Sequence, residues 1–261
     1  MTSEIAITRD GGVQIVRIDR PEKKNALTRA MYETMTAAMV EADASDAIAV
    51  HLITGSGGMF TAGNDIKDFA ARAIDLTQRA SGASGFINTL PLLKKPIVAA
   101  VDGLAIGVGV TLLFHCDLVY ASPAASFRTP FLDLGLVMEA GSSLLAPHIM
   151  GHQRAFELLC LGEPYSAEDA HRAGFVNRIV PAASLQAEAL KAAHRLAAKP
   201  PAALAEARRL LKGQSPEHAT ARMTEEGAVF AKLLASPEAK EAFAAFLEKR
   251  KPDFAKLKRK G

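Results

Sequence analysis

A single carboxylate, Glu139, stands in an otherwise apolar or small stretch, LGLVMEAGSSLL, which runs from Leu134 to Leu145. A carboxylate in an apolar pocket is useful as a base, because desolvation raises its pKa toward neutrality. The same residue would also suit the first turn of a helix that begins near Gly141, where the helix dipole favours a negative charge. The spacing alone leaves both interpretations open.

Two glycine-rich loops could supply backbone N–H groups that bind the negatively charged oxygen formed when a base removes a proton. They cover residues 60–66, FTAGNDI, and residues 103–109, GLAIGVG, and each follows a predicted strand and precedes a predicted helix. The first turn of a helix leaves N–H groups unpaired, and glycine lets the backbone approach a ligand closely. Two such loops side by side could direct one N–H each at a single oxygen and stabilise an enolate. Ordinary glycine turns are the alternative.

Two common motifs are not supported in these segments. The stretch GVGVTL lacks the third glycine of a dinucleotide-binding fingerprint, so an NAD site is not indicated. The stretch GASGF does not match G-x-S-x-G, so a serine hydrolase is not indicated either.

The elements around these residues predict an α/β architecture. Two strands flank Gly11-Gly12, a helix begins at Thr28 as its N-cap, and buried strands occupy AIAVHLITG and KPIVAAVDG. The segment VGVTLLFHCDLVYAS predicts a helix that passes into a strand. Strands and helices alternate until about Pro130, which favours a layered α/β fold with crossover connections. After Gly141 the sequence predicts alanine-rich amphipathic helices.

Composition bounds the possible partners. The chain has 261 residues, 49% of them hydrophobic, and a formal net charge of only +3, which gives no strong case for nucleic acid. No window of about eighteen apolar residues predicts a membrane span, and no signal peptide is visible, so we expect a cytoplasmic protein. The basic tail that begins at Lys249 is either a solvated end or a phosphate-binding one.

Six blocks of the sequence carry a specific resemblance. They are RPEKKNALT, FTAGNDIKDF, VDGLAIGVGVTLLFHCDLVYAS, FRTPFLDLGLVMEAGSS, AGFVNRIVP and AFLEKRKPDF. In this order, and over essentially the whole chain, they resemble the signature blocks of the crotonase family, the enoyl-CoA hydratases and isomerases. The resemblance implies a crotonase-like spiral of ββα units over residues 1–195 and a C-terminal helical trimerisation region over residues 196–261. It also implies a homotrimer or a dimer of trimers.

The resemblance further implies an acyl-CoA thioester substrate whose enolate is held by two backbone N–H groups. In this sequence these are the N–H groups of Asn64 and Val108. Family hydratases use two glutamates, and the matching positions here are Thr111 and Phe131. Neither residue is a carboxylate, so hydration by that route is not expected.

The block around Glu139 resembles the peroxisomal type of Δ3,Δ2-enoyl-CoA isomerase and its bacterial relatives, in which a glutamate at this position is the single base. The resemblance therefore implies that Glu139 moves a proton from C2 to C4 of a 3-enoyl thioester. Phe131 and the apolar residues between Leu134 and Met138 are candidates for the wall around Glu139. The alternatives are another crotonase-family isomerase, an enoyl-CoA hydratase, or a non-catalytic acyl-CoA or RNA binder.

The resemblance also implies a set of coenzyme A contacts. They lie in the RPEKKNAL loop, in the two glycine-rich loops and near the wall of the pocket: Lys23, Lys24, Ala26, Ala62, Gly63, Asp65, Ile66, Gly107 and Phe131. Phe246 and Lys249 match residues that reach a neighbouring subunit's ligand. Coenzyme A is part of the substrate, so we expect no cofactor, and we expect no metal, nucleic acid or membrane partner.

Overall fold

The computed structural model describes residues 4–65, 82–213, 215–248 and 250–258. Two of the predicted coenzyme A contacts, Ile66 and Lys249, lie outside the described residues.

The larger sheet has six strands in the described residues, in the order β1-β2-β3-β4-β6-β9. The first two strands pair antiparallel and the others are parallel. Parallel strands covered on both faces are apolar throughout, and all five residues of Ile97–Val101 are buried. The strands are β1 (Ile5–Asp10), β2 (Val13–Ile18), β3 (Val50–Gly55), β4 (Ile97–Val101), β6 (Leu118–Ala121) and β9 (Arg178–Ile179).

A smaller sheet has the strand order β5-β7-β8, with β5 (Leu104–Ile106), β7 (Ser126–Arg128) and β8 (Tyr165–Ser166). Strand β5 is parallel to β7, and β7 is antiparallel to β8. This sheet is important for the site because β5 forms part of the second glycine-rich loop and leads directly into Gly107.

Helices cover both faces of the larger sheet. The first begins after Thr28, whose hydroxyl accepts a hydrogen bond from the Met31 N–H at 3.3 Å, so the predicted N-cap is confirmed. The helices are α1 (Arg29–Ala44), α2 (Ala83–Thr89), α3 (Val108–Thr111), α4 (Ser142–Met150), α5 (His152–Phe156), α6 (Ala167–Ala173), α7 (Ala182–Ala197), α8 (Pro201–Lys212), α9 (Pro216–Leu234), α10 (Pro237–Leu247) and α11 (Phe254–Lys258).

Short 3₁₀ segments cover Pro21–Lys23, Leu90–Leu92, Leu112–His115 and Leu132–Leu134, and a π-helical turn covers Glu157–Leu161. The segment Leu112–His115 continues α3 and leads into β6, as the predicted transition from helix to strand requires.

The core consists of two hydrophobic clusters, one on each side of the larger sheet. The first includes the buried side of α1, where Met31, Met35 and Met39 recur at helical spacing. The second joins the sheet to α7 through Leu185 and its neighbours. The predicted α/β architecture with a helical C-terminal region is therefore confirmed.

The boundary predicted at residue 195 falls in the last turn of α7, and the division into two domains stays a prediction. Within the described ranges, no helix has both the length and the hydrophobicity needed to span a membrane.

Candidate active site

The two glycine-rich loops lie side by side because the first one pairs with β5. The Thr61 N–H donates to the Leu104 carbonyl at 2.8 Å, and the Ile106 N–H donates to the Thr61 carbonyl at 3.0 Å. Gly63 has φ +84°, and a Cβ there would lie 2.7 Å from the Ile106 oxygen. Only glycine tolerates both that backbone conformation and that approach.

The other side of the first loop is joined to the segment RPEKKNAL. The Ala62 N–H donates to the Lys24 carbonyl at 2.9 Å, and the Leu27 N–H donates to the Gly63 carbonyl at 2.8 Å. Fully buried Asn25 supports this segment, since its amide nitrogen donates to the backbone oxygens of Ser56 and Met59. The predicted proximity of the three loops is therefore present in the structure.

The N–H groups of Asn64 and Val108 are both available to a ligand. No hydrogen bond within the described part of the chain uses either of them as a donor. Val108 is the first residue of α3, where an unpaired N–H is normal, and Gly107 before it has φ +56°. The Asn64 side chain is occupied, because its oxygen accepts from the Tyr32 hydroxyl at 2.7 Å.

Glu139 lies beside the same short helix. The Thr111 hydroxyl donates to its carboxylate at 2.5 Å. Thr111 follows Val108 by three residues, which is about 4.5 Å along a helix axis. The structure therefore brings Glu139, the predicted base, close to the Val108 N–H, one of the two predicted donors. The hydrogen bond from Thr111 that connects them is not predicted from the sequence.

The pKa of the Glu139 carboxyl is raised from its usual value to about 7. Burial is the main cause, and the negative charge of Glu226 raises the pKa further. The hydrogen bond from Thr111 acts in the opposite direction, because it favours the charged form. A carboxyl with such a pKa can accept and return a proton near neutral pH.

Helix α4 begins at Ser142 with Gly141 as its N-cap, close to the predicted position. Its first N–H groups are bound by Glu226 from α9: the carboxylate accepts from Gly141 at 2.7 Å and from Ser143 at 2.9 Å. Glu139 instead uses its side chain to accept from Thr111. The interpretation of Glu139 as the carboxylate that stabilises the start of this helix is therefore wrong.

The backbone next to Glu139 is strained and firmly held. Ala140 has φ +60°, a conformation that residues with a Cβ rarely adopt. The carbonyl of Ala140 accepts from the Nε2–H of His115 at 2.7 Å. Burial lowers the pKa of His115 to about 4, so the imidazole is neutral and donates through this nitrogen. His115 is itself buried in the core.

The remaining predicted site residues have varied surroundings. Lys23 and Lys24 are exposed beside partly buried Ala26, and Phe131 is buried. Asp65 accepts from the Arg20 guanidinium at 2.8 Å, so its carboxylate fixes the first loop. Phe246 is half exposed, on α10. In the ranges that the structure covers, no cluster of three His, Cys, Asp or Glu side chains could hold a metal ion.

Replacing Thr111 by valine should raise the pKa of Glu139 above its value of about 7, since the donor to the charged form is lost. A hydrogen bond to a charged group is worth about 1.5 kcal/mol or more, so we expect a rise of about one pH unit. A carboxyl ¹³C NMR titration measures it, with the Glu139 signal identified by its loss in Glu139→Gln. Thr111→Ser keeps the hydroxyl and should titrate like the wild type; an unchanged pKa in Thr111→Val would contradict the role of this bond.

Replacing Glu139 by glutamine should stabilise the fold, and more so at high pH. The folded pKa of about 7 exceeds the ordinary value of 4.5, so this carboxyl destabilises the folded state increasingly between those values and fully above them. We expect the advantage of Glu139→Gln to be about 2 kcal/mol larger at pH 8 than at pH 5.5.

Urea unfolding at the two pH values, at one protein concentration, tests this difference in the free energy of unfolding. The matched control is Glu225→Gln, which removes an exposed carboxylate on α9. A gain for Glu139→Gln that does not change with pH would show that the carboxyl has an ordinary pKa.

The comparisons with known proteins agree with this architecture. The family model "Enoyl-CoA hydratase/isomerase" matches residues 8–257. The crystal structure of an enoyl-CoA hydratase/isomerase from Pseudoalteromonas atlantica T6c is 40% identical, with a TM-score of 0.90 over 97% of this chain and 100% of that one. The chain therefore belongs to the enoyl-CoA hydratase/isomerase family, and the predicted crotonase-like fold is confirmed.

Two curated relatives have different activities in their names. "Enoyl-CoA delta isomerase 2" of Rattus norvegicus is 33% identical over 95% of this chain and 64% of its own length. The chain thus spans just under two thirds of that relative. A "Probable enoyl-CoA hydratase" of Mycobacterium bovis is 33% identical over 97% of this chain and 99% of its own. The chain is an enzyme of this family, and the family alone does not select between the two reactions.

Proposed function

We propose that this enzyme moves the double bond of a 3-enoyl-CoA ester to give the trans-2-enoyl-CoA ester, as fatty acid breakdown requires. One observation carries the proposal: Glu139, with its pKa near 7, is hydrogen-bonded to Thr111, the residue at one of the two hydratase glutamate positions. The site thus has one proton-transfer group where hydratases have two carboxylates. An allylic shift needs only one such group.

The reaction follows from that arrangement. Ionised Glu139 removes a proton from C2, and the electron pair spreads over the diene and onto the thioester oxygen. The N–H groups of Asn64 and Val108 donate to that oxygen and stabilise the dienolate. Protonated Glu139 then returns the proton to C4, and the double bond moves from C3–C4 to C2–C3 with no net gain or loss of atoms.

Hydration places a different demand on the site, because a water molecule must be held and deprotonated over the double bond. Thr111 is not a base at neutral pH, and Phe131 offers no polar atom beyond its backbone. The second carboxylate in the neighbourhood, Glu226, has one oxygen bound by the Gly141 N–H and the other by the Ser143 N–H. The proposal therefore assigns Glu226 no role as a base.

The coenzyme A part of the substrate is proposed to cross the exposed Lys23 and Lys24, where lysine suits mobile phosphates. The exposed side of Phe246 on α10 supports the proposal that this end of the chain reaches the ligand of a neighbouring subunit in a homotrimer. The reaction balances without a further cofactor. A cytoplasmic location and the absence of a nucleic acid partner stay predictions.

The test is a pair of assays on the wild type. With trans-3-hexenoyl-CoA we expect a rise in the absorbance of the conjugated 2-enoyl thioester. With trans-2-hexenoyl-CoA we expect no loss of that absorbance, since hydration would remove the conjugation. Hydration of the second substrate without isomerisation of the first would overturn the proposal.

Hydration remains the second candidate, because the Mycobacterium bovis relative has that activity in its name and Glu226 places a second carboxylate near Glu139. Under that alternative, Glu226→Gln would abolish loss of the 2-enoyl substrate. The same two substrates therefore separate the candidates.

A further inference from the structure

The reaction proposed above leaves one buried carboxylate without a task. Glu226 lies on α9, is only 6% exposed, and belongs to the C-terminal helical region, 87 residues after Glu139 in the sequence. A buried carboxylate is costly unless its oxygens are hydrogen-bonded.

Both oxygens of Glu226 bind the start of α4. One accepts from the Gly141 N–H at 2.7 Å, and the other accepts from the Ser143 N–H at 2.9 Å. Gly141, as the N-cap residue, has no side chain to perform this task. Glu226 thus supplies from a distant helix the acceptor that a serine or aspartate N-cap supplies locally.

These two N–H groups are also near Glu139 in sequence, since Glu139 precedes Gly141 by two residues and Ser143 by four. Left without a partner, they would attract the Glu139 carboxylate, because unpaired N–H groups at a helix start favour a negative charge. Since Glu226 occupies them, the Glu139 side chain is left to bind Thr111, beside Val108. The orientation of the Glu139 side chain therefore depends on Glu226, which competes with it for the N–H groups at the start of α4.

The negative charge of Glu226 also affects Glu139 directly, because it raises the pKa of the Glu139 carboxyl. Three influences set the pKa of Glu139 in the described part of the chain: burial and the Glu226 charge raise it, and the Thr111 hydroxyl lowers it. Burial raises the pKa of Glu226, and the hydrogen bonds from Ser143 and Gly141 and the charge of Arg222, one turn earlier on α9, oppose that rise. His115, which donates a hydrogen bond to the Ala140 carbonyl, is neutral.

We propose that Glu226 is a positioning residue for the proton transfer: by binding the start of α4, it directs the Glu139 carboxylate to Thr111 and away from the helix. This inference rests on the proposed isomerase function for its kinetic consequence. Its structural consequence, the state of the Glu139 carboxyl, is independent of which reaction the enzyme performs.

The experiment uses the full-length variants Glu226→Gln and Glu226→Asp. Glutamine has nearly the same shape but lacks the charge and one of the two acceptors, whereas aspartate keeps both at a shorter reach. For Glu226→Gln we expect kcat with trans-3-hexenoyl-CoA to fall about tenfold to a hundredfold while KM changes little, since misplacement of the base affects the transition state. Glu226→Asp should recover part of kcat.

The second readout is the ¹³C NMR titration of the Glu139 carboxyl, assigned through Glu139→Gln. Removal of the Glu226 charge should move its midpoint from about 7 to lower pH, and Glu226→Asp should keep it near the wild-type value. The matched control is Glu225→Gln, which removes the adjacent but exposed carboxylate and should change neither readout.

The outcomes are distinct. A Glu226→Gln variant with reduced thermal stability but wild-type kcat and midpoint would show a merely structural cap and overturn the proposal. If Glu226→Gln does not fold, Glu226→Asp decides, because kcat equal to the wild type would then overturn it. If the wild type fails to isomerise but a crystal structure of Glu226→Gln shows the Glu139 carboxyl turned from Thr111 to the N–H groups of Gly141 and Ser143, the proposed function fails and the positioning role stands.

Discussion

Glu139→Gln is expected to lose isomerase activity almost completely while it still binds the thioester. Glutamine keeps the shape of the side chain and an oxygen that can accept from the Thr111 hydroxyl. It cannot accept the C2 proton, so kcat should fall by about 10³-fold or more, within the range of general acid–base catalysis. Conversion of trans-3-hexenoyl-CoA measures kcat, and calorimetry with a saturated acyl-CoA measures binding.

The pH dependence of the wild type supplies an internal control for this assignment. The base must be ionised in the free enzyme, so kcat/KM should rise with pH and level off above the Glu139 pKa of about 7. A variant that retains more than a tenth of wild-type kcat would exclude Glu139 as the base. So would a wild-type profile that stays flat from pH 5.5 to pH 8.5.

The second large effect is expected from Val108→Pro, which removes a single backbone N–H. Val108 is the first residue of α3, the helix position where proline is best tolerated. Gly107 before it has φ +56° and ψ −115°, the mirror image of the extended conformation that a residue before proline prefers, and glycine accepts both. Loss of one donor to the enolate oxygen should lower kcat by about 10²-fold to 10³-fold.

The control for Val108→Pro is Val108→Ala, which keeps the N–H and loses only part of a buried side chain. Circular dichroism should show that the proline variant is folded before kinetics are compared. If both variants lose kcat equally, packing around Val108 and not its N–H determines the rate.

Much of the fold could be predicted because its local signals are strong. The Thr28 N-cap and the continuously apolar strand Ile97–Val101 depend on neighbours in sequence, and both lie where the pattern predicts. The pairing of β5 with β7 and β8 in a separate sheet was not predicted. It depends on contacts between segments far apart in the chain, for which periodicity carries no signal.

The same distinction applies to the site. Glu139 and the two loops were predicted from residue types and from the resemblance, and the structure places them together; their catalytic roles stay proposals. The contacts of Thr111, Asn25 and Glu226 were not predicted. Thr111 looks like a helix residue and Glu226 looks like the polar side of an amphipathic helix, so only the tertiary fold distinguishes them. The one sequence signal for Glu226 is its helical spacing from Ala219 and Met223, which places it on the buried side of α9.

The main-chain pairing between the first loop and β5 has a consequence for engineering. The segments that carry Asn64 and Val108 are held together by peptide groups of Thr61, Leu104 and Ile106, which any side chain would leave in place. Residues 111, 131 and 139 lie outside these paired segments, so we expect that they can be varied without altering the spacing of the two donors. A combinatorial library restricted to these three positions would therefore sample different proton-transfer and water-activating groups over one constant enolate-binding geometry.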